Sequence, residues 1–156
     1  MSSEDQDRLS TGRKADLDGT GLRIAFACGR FNDVVTDQLL ATARKRLDEL
    51  GVAEVEEVWA PGAFELPLVA KALAETGRFD AVITLGAVIR GGTPHFEYVA
   101  GECAAGVQRV SLETGVPVVF GVLTVDTVEQ AEERFGKGGE SAETAVEMAQ
   151  LLRSLR

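Results

Sequence analysis

Hydrophobic positions fall into two alternating patterns along this chain. From Leu22 onward, short β-branched runs give way to stretches in which apolar residues recur every three or four positions, and the alternation repeats toward the C-terminus. That is the signal of successive βαβ units feeding a parallel sheet. Residues 22–28 read as a first strand. After the turn Gly29-Arg30-Phe31-Asn32, Val35, Leu39, Ala43, Leu47 and Leu50 share one helix face, with Asn32 or Asp33 as its cap and Gly51 as its stop. Residues 52–60 form a second strand. Pro61-Gly62 then turns the chain into a helix over 64–76, with Pro67 near its start, where a missing N–H is tolerated, and Gly77 after its end. The uninterrupted apolar run 80–89 is expected of a central strand covered on both faces. Pro94 opens a helix to 114 that Gly115 ends, and 116–125 supplies a fourth strand. Asp126 or Thr127, with Glu129 or Gln130 three residues on, makes a capping box for a helix to Phe135; Gly136, Gly138 and Gly139 interrupt it before a last helix over 141–155. The pattern predicts an α/β chain: a three-layer α/β/α sandwich around a four-stranded parallel sheet, its crossovers right-handed and its helices on both faces.

Residues 1–21 are polar and glycine-containing, with only scattered apolar positions, and read as an N-terminal arm ahead of one domain over 22–156. The 156 residues suit a single domain. Composition matters mainly for what it removes. There is one histidine, His95, and two cysteines, Cys28 and Cys103, far apart in sequence. No multi-histidine cage or short-spaced cysteine pair can form, so metal is not expected. Cys28, Cys103 and Trp59 read as core or interface residues. With 16 basic and 25 acidic residues the net charge is −9, a field that repels phosphate backbones and anionic lipid surfaces; nucleic-acid and membrane partners are not expected. The N-terminus lacks a basic start followed by an apolar segment, and no apolar run is long enough to span a membrane, which leads us to expect a cytoplasmic protein.

In parallel α/β sheets ligands bind beyond the carboxyl ends of the strands. Each strand end here carries residues unusual for a plain turn. Gly91-Gly92-Thr93-Pro94 runs from a buried strand into a helix start and has the make-up of an anion cradle; equally it is a tight turn with no ligand. It is not a Walker loop, because Gly92 stands where the lysine is required, and no GxGxxG is present. His95 enters the first turn of the following helix, a place for a general acid/base or for a packing histidine. Phe31 and Phe64 each lie in or just after a glycine-containing turn and could wall a slot for a flat heterocycle, or simply pack. Glu65 can hydrogen-bond a polyol or favour a helix N-terminus; Arg134 can clamp an anion or complement a helix C-terminus.

Taken in order, Gly29-Arg30-Phe31-Asn32, Pro61-Gly62-Ala63-Phe64-Glu65-Leu66-Pro67, the run from Gly86 to Val99 through Arg90 and His95, Phe120-Gly121-Val122-Leu123-Thr124, Glu129-Gln130-Ala131 and Glu133-Arg134 resemble 6,7-dimethyl-8-ribityllumazine synthases of riboflavin biosynthesis. The resemblance runs from Leu22 to the C-terminus and implies an oligomeric, flavodoxin-like fold. It implies condensation of 5-amino-6-(D-ribitylamino)uracil with 3,4-dihydroxy-2-butanone 4-phosphate, with no cofactor. By motif, Phe31 stacks on the pyrimidine beside Asn32, and Ala63, Phe64 and Glu65 line the slot and hold the ribityl chain. Ala87, Val88 and Ile89 offer backbone groups to the uracil edge. Gly92, Thr93 and Arg134 bind the phosphate, His95 transfers protons, and Phe120 arrives from a neighbouring subunit.

The resemblance further implies pentamers with active sites at subunit interfaces, the arm adding to the adjacent sheet, and in some relatives decamers or 60-subunit shells; riboflavin synthase is a candidate partner. One departure stands out. Only Phe135-Gly136 separates Arg134 from Lys137, where shell-forming relatives carry a longer Gly/Lys-rich linker, so Lys137 receives no role. The competing readings are an archaeal-type riboflavin synthase on the same fold and a catalytically idle flavin-binding or shell protein. The intact motif around His95, together with Phe31, Glu65 and Arg134, favours the synthase.

Overall fold

A computed structural model describes residues 8–91 and 94–156. Four parallel strands, β1 (Arg23–Gly29), β2 (Glu54–Ala60), β3 (Ala81–Ile89) and β4 (Val118–Val125), form one sheet in the order β2-β1-β3-β4. Five helices connect or follow them: α1 (Asp33–Glu49), α2 (Leu66–Glu75), α3 (His95–Thr114), α4 (Val128–Glu132) and α5 (Lys137–Leu155). The expected α/β architecture is present. Strand alternation sends Ile24, Phe26 and Cys28 to one face, where they pack with Leu39 and Leu47 of α1 and Ala142 and Val146 of α5. Ala25 and Ala27 point to the other, where α2 and α3 supply Ala70, Leu73, Cys103 and Val107. The central β3 is buried almost throughout, which is why its sequence is unbroken apolar rather than alternating.

Several boundaries differ from the sequence reading, each for a physical reason. The helix expected over 64–76 divides into a 3₁₀ turn, Ala63–Glu65, and α2, because Pro67 can occupy only the opening turn of an α-helix. Asn32 precedes α1 but its side chain does not cap it; the residue sits in the left-handed region (φ 64°) and its amide is used elsewhere. Thr127 is the cap of α4, its Oγ1 accepting from Gln130 N–H at 3.1 Å, while Gln130 Oε1 accepts from Asp126 N–H at 2.7 Å. That helix stops at Glu132, short of Phe135.

The last helix begins at Lys137, so Gly138 and Gly139 lie inside its first turn rather than breaking the chain. Gly138 is there because α5 presses on α1: any Cβ at this position would collide with the Leu39 carbonyl oxygen and Thr42 Oγ1. Thr42 Oγ1 in turn donates to the Phe135 carbonyl at 2.8 Å, fixing the turn before the helix. Here tertiary contact overrides the low helix propensity of glycine.

Of the N-terminal segment, residues 8–16 are exposed, and it is bonded to the domain where the Asp18 carbonyl accepts from Gln150 Nε2 and Gly19 N–H donates to the Leu50 carbonyl at 2.8 Å. Among the described residues no helix is long and apolar enough to cross a membrane.

Candidate active site

The turns after β1 and β2 are stitched together, with Arg30 N–H donating to the Ala60 carbonyl at 2.8 Å and Phe31 N–H to the Pro61 carbonyl at 3.0 Å. Gly62 lies between the Phe31 and Glu65 side chains: a methyl group there would touch Phe31 Cβ at 3.6 Å and Glu65 Oε1 at 3.7 Å. A third strand end joins through Asn32, whose Nδ2 donates to the Ala87 carbonyl at 3.0 Å. Three strand ends are thereby held in one rigid cluster. Thr36 adds to it from α1, its buried hydroxyl donating to the Gly29 carbonyl at 3.0 Å.

Between this cluster and the start of α3 lies a cavity of about 810 Å³. Phe31, Asn32, Ala63, Phe64, Glu65, Ala87, Val88, Ile89 and His95, all singled out in the sequence, line it together. Phe31 is 74% exposed and Phe64 56% exposed, unusual for rings in a chain whose other phenylalanines largely pack inside. Phe96, Tyr98 and Val99 from the first turns of α3 complete the wall; sequence reasoning gave them no role. The available signal was their position, within one helical turn of His95.

Of the four remaining expected residues, Phe120 and Arg134 do not line this cavity. Gly92 and Thr93 fall outside the described residues. Phe120 is the third residue of β4 rather than part of its carboxyl end; half-buried, it lies opposite Thr84 and packs toward α2 and α3. Arg134 is exposed in the turn between α4 and α5 and makes no ion pair among the described residues.

At the carboxyl end of β3, Arg90 has more partners than any other residue near the cavity. Its backbone N–H donates to the Val125 carbonyl at 2.8 Å, its Nε to Asp126 Oδ1 at 2.8 Å, and its Nη1 to Glu97 Oε1. The guanidinium also lies over the Phe96 ring, 4.4 Å from its centroid. The Asp126 carboxylate first, then that of Glu97, holds this guanidinium more firmly protonated than an ordinary arginine.

Neither cysteine offers a nucleophile. Burial pushes the Cys28 thiol up to about 12, with the Glu57 charge adding to it, and burial pushes Cys103 up to about 11. Both stay protonated and inert near neutrality. Among the described residues no three His, Cys, Asp or Glu side chains stand together in a way that could hold a metal ion.

The cavity therefore combines apolar walls, a carboxylate and an imidazole at the carboxyl end of a parallel sheet, where such folds bind ligands. Comparison with known families supplies the remaining constraint. The model of the 6,7-dimethyl-8-ribityllumazine synthase family matches residues 21–153, which takes in all four strands and nearly all of α5. With that match over the whole folded domain, the chain belongs to the 6,7-dimethyl-8-ribityllumazine synthase family, whose members are transferases of riboflavin biosynthesis.

Proposed function

We propose that this protein condenses 5-amino-6-(D-ribitylamino)uracil with 3,4-dihydroxy-2-butanone 4-phosphate to give 6,7-dimethyl-8-ribityllumazine, phosphate and water. The observation that carries the reading is the convergence of Phe31, Phe64, Glu65, the end of β3 and His95 on one cavity of about 810 Å³. That volume lies within the range of roughly 300–1,000 Å³ usual for small-molecule sites. In this reading the Phe31 ring stacks on the pyrimidine, while Ala63, Phe64 and Glu65 hold the ribityl chain. Val88 and Ile89 present backbone groups to the uracil edge, and Asn32 steadies that edge by holding the Ala87 carbonyl.

The chemistry follows from holding two reactants together. The 5-amino group attacks the ketone and water leaves to form an imine. Phosphate then departs by elimination, and the enol left behind becomes a new ketone. The ribitylamino nitrogen closes the second ring onto it with loss of a second water. Each step moves a proton, a role we give to His95, and its position on the cavity wall supports that assignment. Positioning supplies most of the acceleration, because a well-oriented pair reacts as if at very high effective concentration.

Phosphate recognition falls to Gly92, Thr93 and Arg134. Since Phe120 and Arg134 lie apart from their own chain's cavity, we assign both to the cavity of a neighbouring copy in a cytoplasmic homopentamer. Exposed Phe31, Phe64 and Tyr98 on the cavity wall, exposed Leu68 on α2 and, among the described residues, the unpaired outer edges of β2 and β4 support such assembly. The test is to mix purified protein with both substrates while following lumazine absorbance and phosphate release, with light scattering on the same sample. Product forming no faster than the uncatalysed background would sink the enzyme reading, and a monomer at working concentration would sink the shared site.

A further inference from the structure

We propose that Arg90 is a positioning residue: one guanidinium clamps the end of β3, the turn after β4 and the first turn of α3, and so sets where His95 and Phe96 stand in the cavity. The inference rests on the condensation reading for its kinetic arm only.

The argument begins with what Arg90 is not doing. Its side chain is 47% exposed, and those of Glu97 and Asp126 are 53% and 62% exposed. Ion pairs this open to water add little to global stability. Yet the two carboxylates come from different elements, Asp126 from the turn leaving β4 and Glu97 from the opening turn of α3. The backbone of Arg90 is independently bonded to the last residue of β4. The same side chain thus ties together both ends of the segment that carries the chain from β3 into α3.

Among the described residues, no other side chain ties the start of that helix to the sheet. Pro94 occupies its N-cap position and makes no side-chain cap, which leaves Arg90 to Glu97 as the side-chain tie that the described residues show between the opening turn of α3 and the sheet. Phe96, between His95 and Glu97, lies under the guanidinium and also lines the cavity, so ring and imidazole are placed by one group. A planar fork is suited to two carboxylates and a ring face at once; an ammonium is a single point charge. Displacing a catalytic group by even 1 Å can cost on the order of 100-fold in rate.

The experiment compares Arg90→Ala, Arg90→Lys, His95→Ala and the Arg90→Ala/His95→Ala double variant, each with amide hydrogen exchange on the free protein. Arg90→Ala is expected to lower kcat at least tenfold while changing the KM for the ribitylaminouracil less than twofold, with Arg90→Lys intermediate. On the His95→Ala background the same change should cost less than about twofold, the non-additivity of two residues acting as a unit. Exchange at residues 95–99 should speed up at least tenfold in Arg90→Ala while α1 is unchanged. Equal kinetic losses with and without His95 would overturn the proposal, as would unchanged exchange at 95–99. An inactive wild type would defeat the condensation reading alone, because the exchange comparison needs no substrate.

Discussion

Under α1 and α5 the sheet is closed by its own chain: Phe26, Ile24, Leu39 and Leu47 have essentially no exposed surface, and Arg44 from α1 lies over the Phe26 ring. At the cavity rim the same sheet ends among rings left open, with Phe31, Phe64 and Tyr98 exposed. Both regions are rich in large apolar side chains; only one has used them. An apolar side chain sealed in a core contributes to the free energy of folding, while an exposed one contributes almost nothing until something covers it. The difference separates residues that the fold needs from residues that a ligand or a neighbouring copy needs.

Substitution of the two phenylalanines should separate the regions most sharply. Phe26→Ala removes a fully buried ring from between α1 and β1 and should cost about 3–5 kcal/mol of stability, read as a lower denaturant midpoint. Phe31→Ala should leave stability within about 0.5 kcal/mol, as for surface changes generally. On the condensation reading it should instead raise the KM for the ribitylaminouracil about tenfold, since stacking on a base is worth roughly 1–3 kcal/mol. A Phe31→Ala protein that melts like Phe26→Ala would erase the distinction between core and rim.

Asn32 tests how the rim is anchored to the core. It combines a left-handed backbone, which costs an L-residue about 1–2 kcal/mol, with an amide that holds the Ala87 carbonyl. Asn32→Gly removes the strain and the hydrogen bond together, so the two losses should nearly cancel. Asn32→Ala keeps the strain and loses the bond, and should be less stable than Asn32→Gly by about 1 kcal/mol in chemical denaturation, the left-handed penalty that glycine escapes less its greater unfolded-state entropy. Equal stability of the two variants would mean that the left-handed turn carries no strain.

The core was far more legible in sequence than the rim. Leu39, Ala43 and Leu47 announce the buried face of α1 by spacing alone, and the unbroken run from Ala81 to Ile89 announces a central strand, because periodicity is a direct consequence of burial. Much of the cavity followed, since parallel strands deliver their ends to one side. What did not follow depends on partners distant in sequence. Asn32 reads as a cap and is a tether to Ala87, 55 positions away. Gly138 reads as a breaker and is a contact surface for Leu39. Arg90 lies inside a recognised motif, but its importance comes from Asp126, 36 positions on. Short-range pattern encodes which face is buried; it does not encode which polar group will cross from one element to another.

The smallest predicted effect lies at the edge of the closed region. Glu57 on β2 accepts from Trp59 Nε1 at 2.6 Å and from Arg44 on α1, and the Trp59 hydrogen bond, followed by that of Arg44, holds its carboxyl below the usual glutamate range. A carboxylate whose folded pKa is depressed contributes stability above its unfolded pKa and loses it as pH falls through the folded value. Wild type should therefore exceed Glu57→Gln by less than about 1 kcal/mol near neutrality, as expected for a pair this open to water. The gap should close as the solution is taken below the ordinary glutamate range, where the wild-type side chain is protonated as well. Denaturant midpoints of the two proteins from pH 7 to pH 3 measure this directly. The absence of any gap at pH 7 would show that Arg44 and Trp59 hold the edge by packing, as Phe26 holds the interior, and that charge adds nothing there.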